Sequence, residues 1–435
     1  MSEDPRLLLI DMTSLRGNAA TSMLKAAYFE GWTEGRLLHL QAMSWDKVGL
    51  AADFGQAYLE RPDVNMRDEI LSRFQPEIIF YRPVAGKPAL HKQAMEIIQA
   101  SDAPLAMWMM DDWPARLETE DPEAAERMRA DLEVLFERSA VNYAISEGMA
   151  RAFGARYGVS FEVAHNGVDP RDWRSIQPSK AKKSGRPVTL RYSGSLAPDM
   201  TRDSVYAVAE ATSVLSAKGV PVRMQISTQD AWYAENASRF RGLKGVQIRR
   251  ARHTDTGYRQ WLSDADIVLL AYNFDEATRR YVLYSFANKT PELLASGAAV
   301  LAFGPADLET IAFLKSRGLA ECIVEKDPDR LSGSIRALAE KPALRHELAR
   351  KGRDYAFSQM DMGGFRENMR QHLRQLAERS HALAATQDAD EVATALTLKF
   401  TLYRRLANRV ADQAPFAFKL LQKPVRFLKR LVRPT

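Results

Sequence analysis

Two adjacent carboxylates, Asp111 and Asp112, follow the apolar run "MWMM" and are well placed for proton chemistry. A carboxylate at the carboxyl end of a buried parallel strand faces the crevice in which α/β proteins bind ligands. Burial beside Trp113 would raise its pKa into the range that a general base needs. The alternative is that one of the two caps the following helix. His165 could reach the same crevice, although a lone histidine is more often structural.

The segment "SFANKTPELLASGAAVLAFG", Ser285 to Gly304, predicts a helix N-terminus that could hold an anion. Thr290 has the side chain of an N-cap residue, Pro291 suits the first helical position, and Glu292 follows in the first turn. Gly297 stands where a helix ends in a left-handed residue, and the apolar run after it is typical of a strand buried on both faces. The free amides of such a helix suit a phosphate. An ordinary connection in an α/β sheet explains the pattern equally well.

Strand-like and helix-like segments alternate along the chain and would position these residues. "RLLLIDM", "RLLHLQAM", "EIIFYRPV" and "VNYAIS" are typical of strands, and a polar stretch at about 169–187 separates them from a second series that includes "VTLRYSGSL" and "ADIVLLAY". Helices from about Pro328 to Glu340 and from Pro342 to Ala356 close that series. The alternation predicts an α/β protein with two Rossmann-like, doubly wound domains facing a central cleft. The expected division is 1–178 and 179–360 for the domains, 361–385 for a helix returning to the first, and 386–435 for a linker and tail.

The charge is concentrated at the C-terminus. The 435 residues carry a net charge of +6, yet residues 396–435 contain ten Lys or Arg and one Asp, a charge of +9 that leaves the remaining 395 at −3. Apolar residues recur there at helical spacing, which is typical of an amphipathic helix on an anionic membrane surface. A helix packed on the body is the alternative. No nucleic acid is expected, because no recognised binding module accompanies the charge.

Other features bound the class of protein. The single cysteine, Cys322, excludes an internal disulfide and fits a reducing compartment. The opening "MSEDPRLLLI" does not read as a signal peptide, and no apolar run approaches the roughly 18 residues of a membrane span. The seven histidines are scattered, so no metal site is expected. These features predict a cytoplasmic protein, peripheral at the inner face of the cytoplasmic membrane through its tail.

Three stretches, in this order, resemble motifs of the GT-B glycosyltransferases, particularly the family-4-like group. "AVNYAISEGMARAFGARYG" with "FEVAHNGVDP" resembles the end of their N-terminal domain, and "LRYSGSLAPDM" the opening of their C-terminal domain. "ADIVLLAYNFDEATRRYVLYSFANKTPELLASGAAVLAFGP" resembles their nucleotide-sugar site, and the resemblance covers about residues 5 to 380. It implies an N-terminal acceptor domain, a C-terminal nucleotide-sugar domain, and a metal-independent hexosyltransferase that requires no cofactor besides its nucleotide-diphosphate sugar donor.

The resemblance also implies donor-site residues. Of two family glutamates eight positions apart, the second, which holds the ribose hydroxyls, is Glu292 here; a carboxylate can accept from both vicinal hydroxyls. The first falls on Tyr284, a departure from the family pattern. The loop Gly194-Ser195 lacks the usual arginine, and the nearest later base is Arg202. The charge that meets the diphosphate could come instead from Lys289, Arg279 or Arg280, beside the free helix amides. The other residues expected in this site are Ser193, Ser285, Asn288 and Thr290.

Acceptor contacts are expected in the first strand-to-helix loop and after a later strand, from Arg16, Gly17, Asn18, Tyr81 and Arg82. The implied function is transfer of a sugar from a nucleotide-diphosphate donor to a glycan or lipid-linked glycan in bacterial surface polysaccharide assembly. Two alternatives stay open because of the departures from the family pattern. One is a catalytically inactive GT-B protein that binds nucleotide or glycan, and the other is a further GT-B enzyme such as a nucleotide-sugar epimerase.

Overall fold

The computed structural model describes residues 3–17, 20–55, 66–176, 186–251 and 255–386, with side chains described to residue 380. Asn18 and the basic tail predicted to bind a membrane lie outside these residues. Within them, no helix has the length and apolar character needed to cross a bilayer. Two β-sheets, each covered by helices, organise the chain as predicted.

The first sheet has seven strands in the order β3-β2-β1-β4-β5-β6-β7. The strands are β1 (Leu7–Asp11), β2 (Leu37–Ala42), β3 (Val48–Ala52), β4 (Ile78–Tyr81), β5 (Leu105–Met109), β6 (Ser139–Ala144) and β7 (Glu162–Val163). The helices are α1 (Ala20–Phe29), α2 (Met66–Glu69), a π-turn (Ile70–Phe74), α3 (Pro88–Ala100), α4 (Trp113–Glu120), α5 (Pro122–Arg138), α6 (Glu147–Tyr157) and α7 (Pro170–Arg174). All neighbouring strands are parallel except β2 and β3. The antiparallel edge strand β3 was not predicted from the sequence.

The second sheet has six parallel strands in the order β10-β9-β8-β11-β12-β13. They are β8 (Val188–Ser193), β9 (Val222–Thr228), β10 (Val246–Arg250), β11 (Ile267–Ala271), β12 (Ala299–Phe303) and β13 (Glu321–Ile323). The helices are α8 (Arg202–Ala217), α9 (Asp230–Asn236), a 3-10 turn (Ala237–Phe240), α10 (Asp255–Ser263), α11 (Glu276–Val282), α12 (Thr290–Ala295), α13 (Glu309–Ser316), α14 (Pro328–Glu340), α15 (Pro342–Gln359) and α16 (Met362–Thr386).

In both sheets the strand order reverses beside the first strand, between β1 and β4 and between β8 and β11. The loops that follow these strands diverge, which opens a crevice at the carboxyl ends where ligands bind in this kind of sheet. The strands β1, β5, β11 and β12 are buried on both faces, which accounts for their unbroken apolar sequences.

Helix α12 differs from its prediction at one end. It begins at Thr290, one residue earlier than expected, and its N-cap residue is Lys289, without a side-chain capping bond. The prediction of Thr290 as N-cap is therefore wrong. Gly297 has a φ of 75° just after the helix, as predicted.

The helix α16 begins beside the first sheet, where Val168 forms an isolated bridge with Asp361. Its arginines then reach residues around β1 and α1. The Arg366 guanidinium donates to the carbonyl of Ala27 at 2.7 Å, and Arg374 donates to the carboxylate of Asp4 at 3.0 Å. These contacts place the first turns of α16 against the first sheet. The domain boundaries expected from the sequence stay a prediction.

Candidate functional site

Four charged side chains lie together at the carboxyl ends of β1, β4 and β5. Asp11, the last residue of β1, is fully buried between Lys25 of α1, at 2.8 Å, and Arg82, at 2.6 Å. Arg82 follows β4 and also approaches Asp111 after β5, at 3.6 Å. We call Asp11, Lys25, Arg82 and Asp111 the charge quartet. Two carboxylates and two cations balance one another there, which a buried charge requires.

Burial and pairing act in opposite directions within the charge quartet. Burial by itself would raise the pKa of Asp11, but Arg82 and Lys25 outweigh it and hold that pKa well below its ordinary value. Burial lowers the pKa of Lys25 to about 8, with Asp11 partly offsetting the effect. Asp11 and Lys25 were not predicted as site residues. Asp11 could have been found from its position at the end of the apolar run "LLLID". Nothing in the sequence around Lys25 indicates that this lysine is buried.

Asp111 is the member of the charge quartet that reaches solvent, with 22% of its side chain exposed. Burial raises its pKa above the ordinary value, and Arg82 and Arg116 partly offset the rise. The Ser285 hydroxyl donates to the carbonyl of Met110, the residue before Asp111, at 3.2 Å. A carboxylate with a raised pKa at the end of a strand can take up a proton from a bound ligand.

Asp112 and His165 have the contacts of structural residues. Asp112 is buried, caps α4 by accepting from the amide of Ala115 at 3.3 Å, and forms an ion pair with Arg156 at 2.9 Å. The capping alternative therefore holds for Asp112. His165 packs beside Phe286 with 5.6 Å between ring centroids, and burial lowers its pKa, which keeps the ring neutral. The catalytic roles expected for these two residues stay predictions, without support from their contacts.

A second cluster joins the end of β8 to the start of α12. The Lys289 ammonium donates to the carbonyl of Ser193 at 3.0 Å and lies 3.3 Å from its hydroxyl. It also lies 5.6 Å from the centre of the Tyr258 ring. Burial lowers the pKa of Lys289, and the nearby Glu292 carboxylate partly offsets this. The pKa of Tyr258 is raised, chiefly by burial and then by the Glu292 carboxylate. We call these four residues the α12 cluster; Tyr258 was not predicted, because 31 residues separate it from Lys289.

The loop after β8 is fixed through its backbone. The Gly194 amide donates to the carbonyl of Ser227 at 3.2 Å, and a Cβ at Gly194 would lie 2.7 Å from the hydroxyl of Tyr192. The Ser195 carbonyl accepts from Tyr192 at 2.6 Å and from Thr201 at 2.8 Å. This geometry keeps the loop close to the α12 cluster without a basic side chain of its own.

The three arginines expected to help bind the diphosphate are engaged with other partners. Arg202 bonds to its neighbouring acid at 3.1 Å, Arg279 pairs with an acid before α13, and Arg280 donates to a hydroxyl on α4 at 3.1 Å. Their partners are, in that order, Asp203, Asp307 and Thr119. The structure thus associates Lys289, and not these arginines, with the start of α12.

Other residues expected in the donor site contact the first sheet's loops. The Tyr284 carbonyl accepts from the hydroxyl of Ser146 at 2.7 Å. The Asn288 side chain accepts from the amide of Asn166 at 2.8 Å. Thr290 is buried, and its hydroxyl has no hydrogen-bond partner among the described residues. Tyr284 and Asn288 therefore tie the segment before α12 to the first sheet.

The expected acceptor residues divide into exposed and buried ones. Arg16 is exposed in the loop after β1, and Gly17 is partly buried beside it. Tyr81 is fully buried and bonds to the ring of His91 at 2.6 Å, so its hydroxyl is already engaged. Arg82 belongs to the charge quartet. Within the described part of the chain, no group of three or more His, Cys, Asp or Glu side chains could hold a metal ion.

Comparisons with known proteins agree with this architecture. No protein-family model matches the sequence, and no curated protein matches it by sequence. Among solved structures, sucrose-phosphate synthase from Thermosynechococcus elongatus is similar with a TM-score of 0.61 and 11% identity over 85% of this chain and 99% of that one. HepE from Anabaena, solved in complex with UDP and glucose, is similar with a TM-score of 0.63 and 13% identity, over 85% of this chain and 99% of that one. A glycosyltransferase from Rickettsia africae is similar with a TM-score of 0.61 and 12% identity, over 86% of this chain and 99% of that one. The chain therefore has the GT-B glycosyltransferase fold.

Proposed function

We propose that this protein is a glycosyltransferase that moves a sugar from a nucleotide-diphosphate donor to a glycan or lipid-linked glycan. The observation that carries the proposal is the α12 cluster, which brings Lys289 and Glu292 of one helix mouth to the end of β8. HepE, a protein of this fold, was solved in complex with UDP and glucose. That complex supports a nucleotide sugar as the donor here.

Within the α12 cluster each group has a chemical role toward such a donor. The Lys289 ammonium and the free amides of the first turn of α12 would bind the diphosphate. The Glu292 carboxylate would accept from the two ribose hydroxyls. Tyr258 would limit the water around Lys289. No metal takes part in the proposed binding.

We assign proton transfer to Asp111. Transfer with inversion needs a base for the acceptor hydroxyl, and Asp111 combines partial exposure with a raised pKa. Arg82 and Arg116 partly offset the effect of burial on the pKa of this carboxylate. NMR spectroscopy of the product tests this role: retention of the donor's anomeric configuration would reject Asp111 as the base.

The donor site is tested by thermal stabilisation with UDP, GDP, dTDP, ADP and CMP. A nucleotide at about 100 times its dissociation constant adds roughly 2.7 kcal/mol to the stability of the wild type. Glu292→Ala is expected to lose that response. Glu347→Ala, the same substitution on the exposed face of α15, is the matched control and keeps it. If none of the five nucleotides stabilises the wild type, the donor site is rejected.

An inactive protein of the same fold is the alternative that a specific observation favours. Tyr284 stands where the resemblance places a donor-contacting glutamate, and its carbonyl is used to bond Ser146. Such a protein would bind nucleotide without turnover. Release of nucleoside diphosphate from a sugar donor in the presence of acceptor separates the two, and a change of the donor sugar without acceptor would indicate an epimerase instead.

We further propose that the acceptor belongs to bacterial surface polysaccharide assembly and that residues 396–435 hold the protein at the inner face of the cytoplasmic membrane. The charge of these residues supports this proposal. The full chain is expected to sediment with anionic vesicles at low salt. A variant with the ten Lys and Arg of this segment changed to Gln should stay in solution, and equal sedimentation of both would reject the membrane role.

A further inference from the structure

Six large apolar side chains are exposed in the described part of the chain, and three of them follow the first two strands of the first sheet. Met43 and Trp45 belong to the turn between β2 and β3, and Met23 lies in the first turn of α1. We call these three residues the apolar edge. Apolar side chains scattered over a surface need no explanation, whereas a group of them marks a place where a partner binds.

The pairing of β1 with β2 fixes where the apolar edge lies. The two strands are parallel, and Asp11 at the end of β1 is opposite Gln41 near the end of β2. Neighbouring strands lie about 4.8 Å apart, so the turn that follows Gln41 adjoins the loop that follows Asp11. That loop carries the exposed Arg16 and leads into α1. The apolar edge therefore belongs to the rim of the crevice in which the charge quartet lies.

The turn between β2 and β3 is closed by hydrogen bonds and presents Trp45 to solvent. The Met43 and Ser44 amides both donate to the carbonyl of Lys47, at 2.8 and 3.2 Å. The Ser44 hydroxyl donates to the Asp46 carboxylate at 2.8 Å. Trp45, between them, is 68% exposed. Turns favour Gly, Pro, Asn, Asp and Ser, so the chemistry of the turn does not account for a tryptophan at this position.

The side chains around Trp45 suit the interface of an anionic bilayer. A tryptophan there buries its apolar ring and keeps its N–H at the polar surface, and long cationic side chains reach the headgroups. Arg16 and Lys47 are exposed on the two connections that form this rim. A sugar-binding site would instead need several polar side chains converging on a concave surface, whereas Trp45 projects into solvent from a turn.

We propose that the apolar edge is a membrane-contact surface, which enters the interfacial region of an anionic bilayer while Arg16 and Lys47 bind its headgroups. The surface is formed by described residues of the first sheet and is separate from the basic tail. One consequence rests on the proposed function. The crevice that holds Asp111 would open toward the membrane, where a lipid-linked glycan presents its hydroxyl.

Tryptophan fluorescence tests this contact in the full-length protein, because the other six tryptophans are buried or half-buried. The probe is a vesicle of brominated phosphatidylcholine and phosphatidylglycerol in equal parts, whose bromine atoms quench a tryptophan that enters the acyl region. We expect the wild-type emission to fall when the vesicles bind. Trp45→Phe keeps an aromatic ring, so it should still bind, but its emission should not fall.

Sedimentation with the same lipids, without bromine, measures how much Trp45 contributes to binding. Trp45→Ala should weaken binding about tenfold, because the burial of a large apolar side chain is lost. The difference should persist at high salt, since salt screens the charges of residues 396–435 but not apolar burial. Val214→Ala is the matched control. It removes an exposed apolar side chain from α8, beside the second sheet, and should bind as the wild type does.

The outcomes separate this inference from the proposed function. Quenching of the wild type that Trp45→Phe abolishes supports the membrane-contact surface even where no sugar is transferred, and absent transfer would then reject the proposed function alone. Sedimentation without quenching overturns the inference, because the basic tail alone would then hold the protein. Absent sedimentation, or equal quenching in both proteins, overturns it as well. Shielding of Trp45 from acrylamide before lipid is added would overturn it in favour of a second copy of the chain.

Discussion

Replacement of Arg82 by Met would test whether the charge quartet holds the first sheet's crevice together. Arg82 donates two hydrogen bonds to Asp11, at 2.6 and 3.1 Å, and both side chains are almost fully buried. The substitution keeps the apolar stem and leaves Asp11 with Lys25 as its one remaining charged partner in the charge quartet. Breaking a buried ion pair by removing one partner costs about 3–5 kcal/mol.

Differential scanning calorimetry measures this loss of stability. For a domain of the size predicted for the first, about 3–5 kcal/mol corresponds to a fall of roughly 6–20 °C in the Tm of its transition. Arg279→Met is the control, because Arg279 pairs with Asp307 at the surface and an exposed pair contributes little.

The pH dependence of the Tm tests the same prediction in a second way. The folded pKa of Asp11 lies below its ordinary value, so its contribution to stability is present above the ordinary carboxyl pKa and is lost as the pH falls. Without Arg82 that folded pKa rises, because burial then dominates. The Tm deficit of Arg82→Met should therefore narrow as the pH is lowered below about 5. A deficit no larger than that of Arg279→Met at neutral pH would refute the reasoning.

Three further outcomes are expected. Asp111→Asn should keep the wild-type Tm and lower the transfer rate by about 10²–10⁴-fold. Asp112→Ala removes a helix cap and an ion pair, so its main effect should be a lower Tm. The reverse pattern would exchange the roles of the two residues. Gly148→Ala should cost about 0.5–1.5 kcal/mol by calorimetry. The new Cβ would displace the Glu309 carboxylate, which accepts from the Gly148 amide at 2.9 Å, and an unchanged Tm would contradict this. Lys289→Met should weaken nucleotide binding in titration calorimetry by about tenfold or more; unchanged affinity would exclude a diphosphate contact.

Much of the fold was predictable because its signals are local. The buried strands show as unbroken apolar runs, and α14 has the bounds expected from the sequence, Pro328–Glu340. Asp327 caps this helix and Pro328 opens it, both short-range features. Two edge strands, β3 and β10, were missed, and for β10 the reason is also local. β10 has the sequence "VQIRR", in which exposed arginines replace the apolar pattern of a buried strand.

The site was less predictable, because its contacts join distant parts of the chain. Lys289 and Ser193 are 96 residues apart, and their bond depends on which loop of the second sheet faces the end of β8. Lys25 was missed since a lysine is almost never fully buried unless it is paired. Asp112 was included because adjacent carboxylates look alike in a sequence, whereas one of them faces the crevice and the other the start of α4.

The two charged clusters compensate their buried charges in different ways, and the difference bears on the ligand that each is proposed to bind. In the charge quartet each cation has a carboxylate partner within 3.6 Å, so an added anion would meet charges that are already balanced. In the α12 cluster the ammonium of Lys289 bonds to the neutral carbonyl of Ser193, and the Glu292 carboxylate only partly offsets the effect of burial on its pKa. A partly buried cation whose hydrogen-bond acceptor is a neutral carbonyl is stabilised by a bound anion more than a cation in a close ion pair is. This difference favours the start of α12 as the proposed diphosphate site, and it leaves the crevice of the first sheet for the proposed acceptor hydroxyl and its proton.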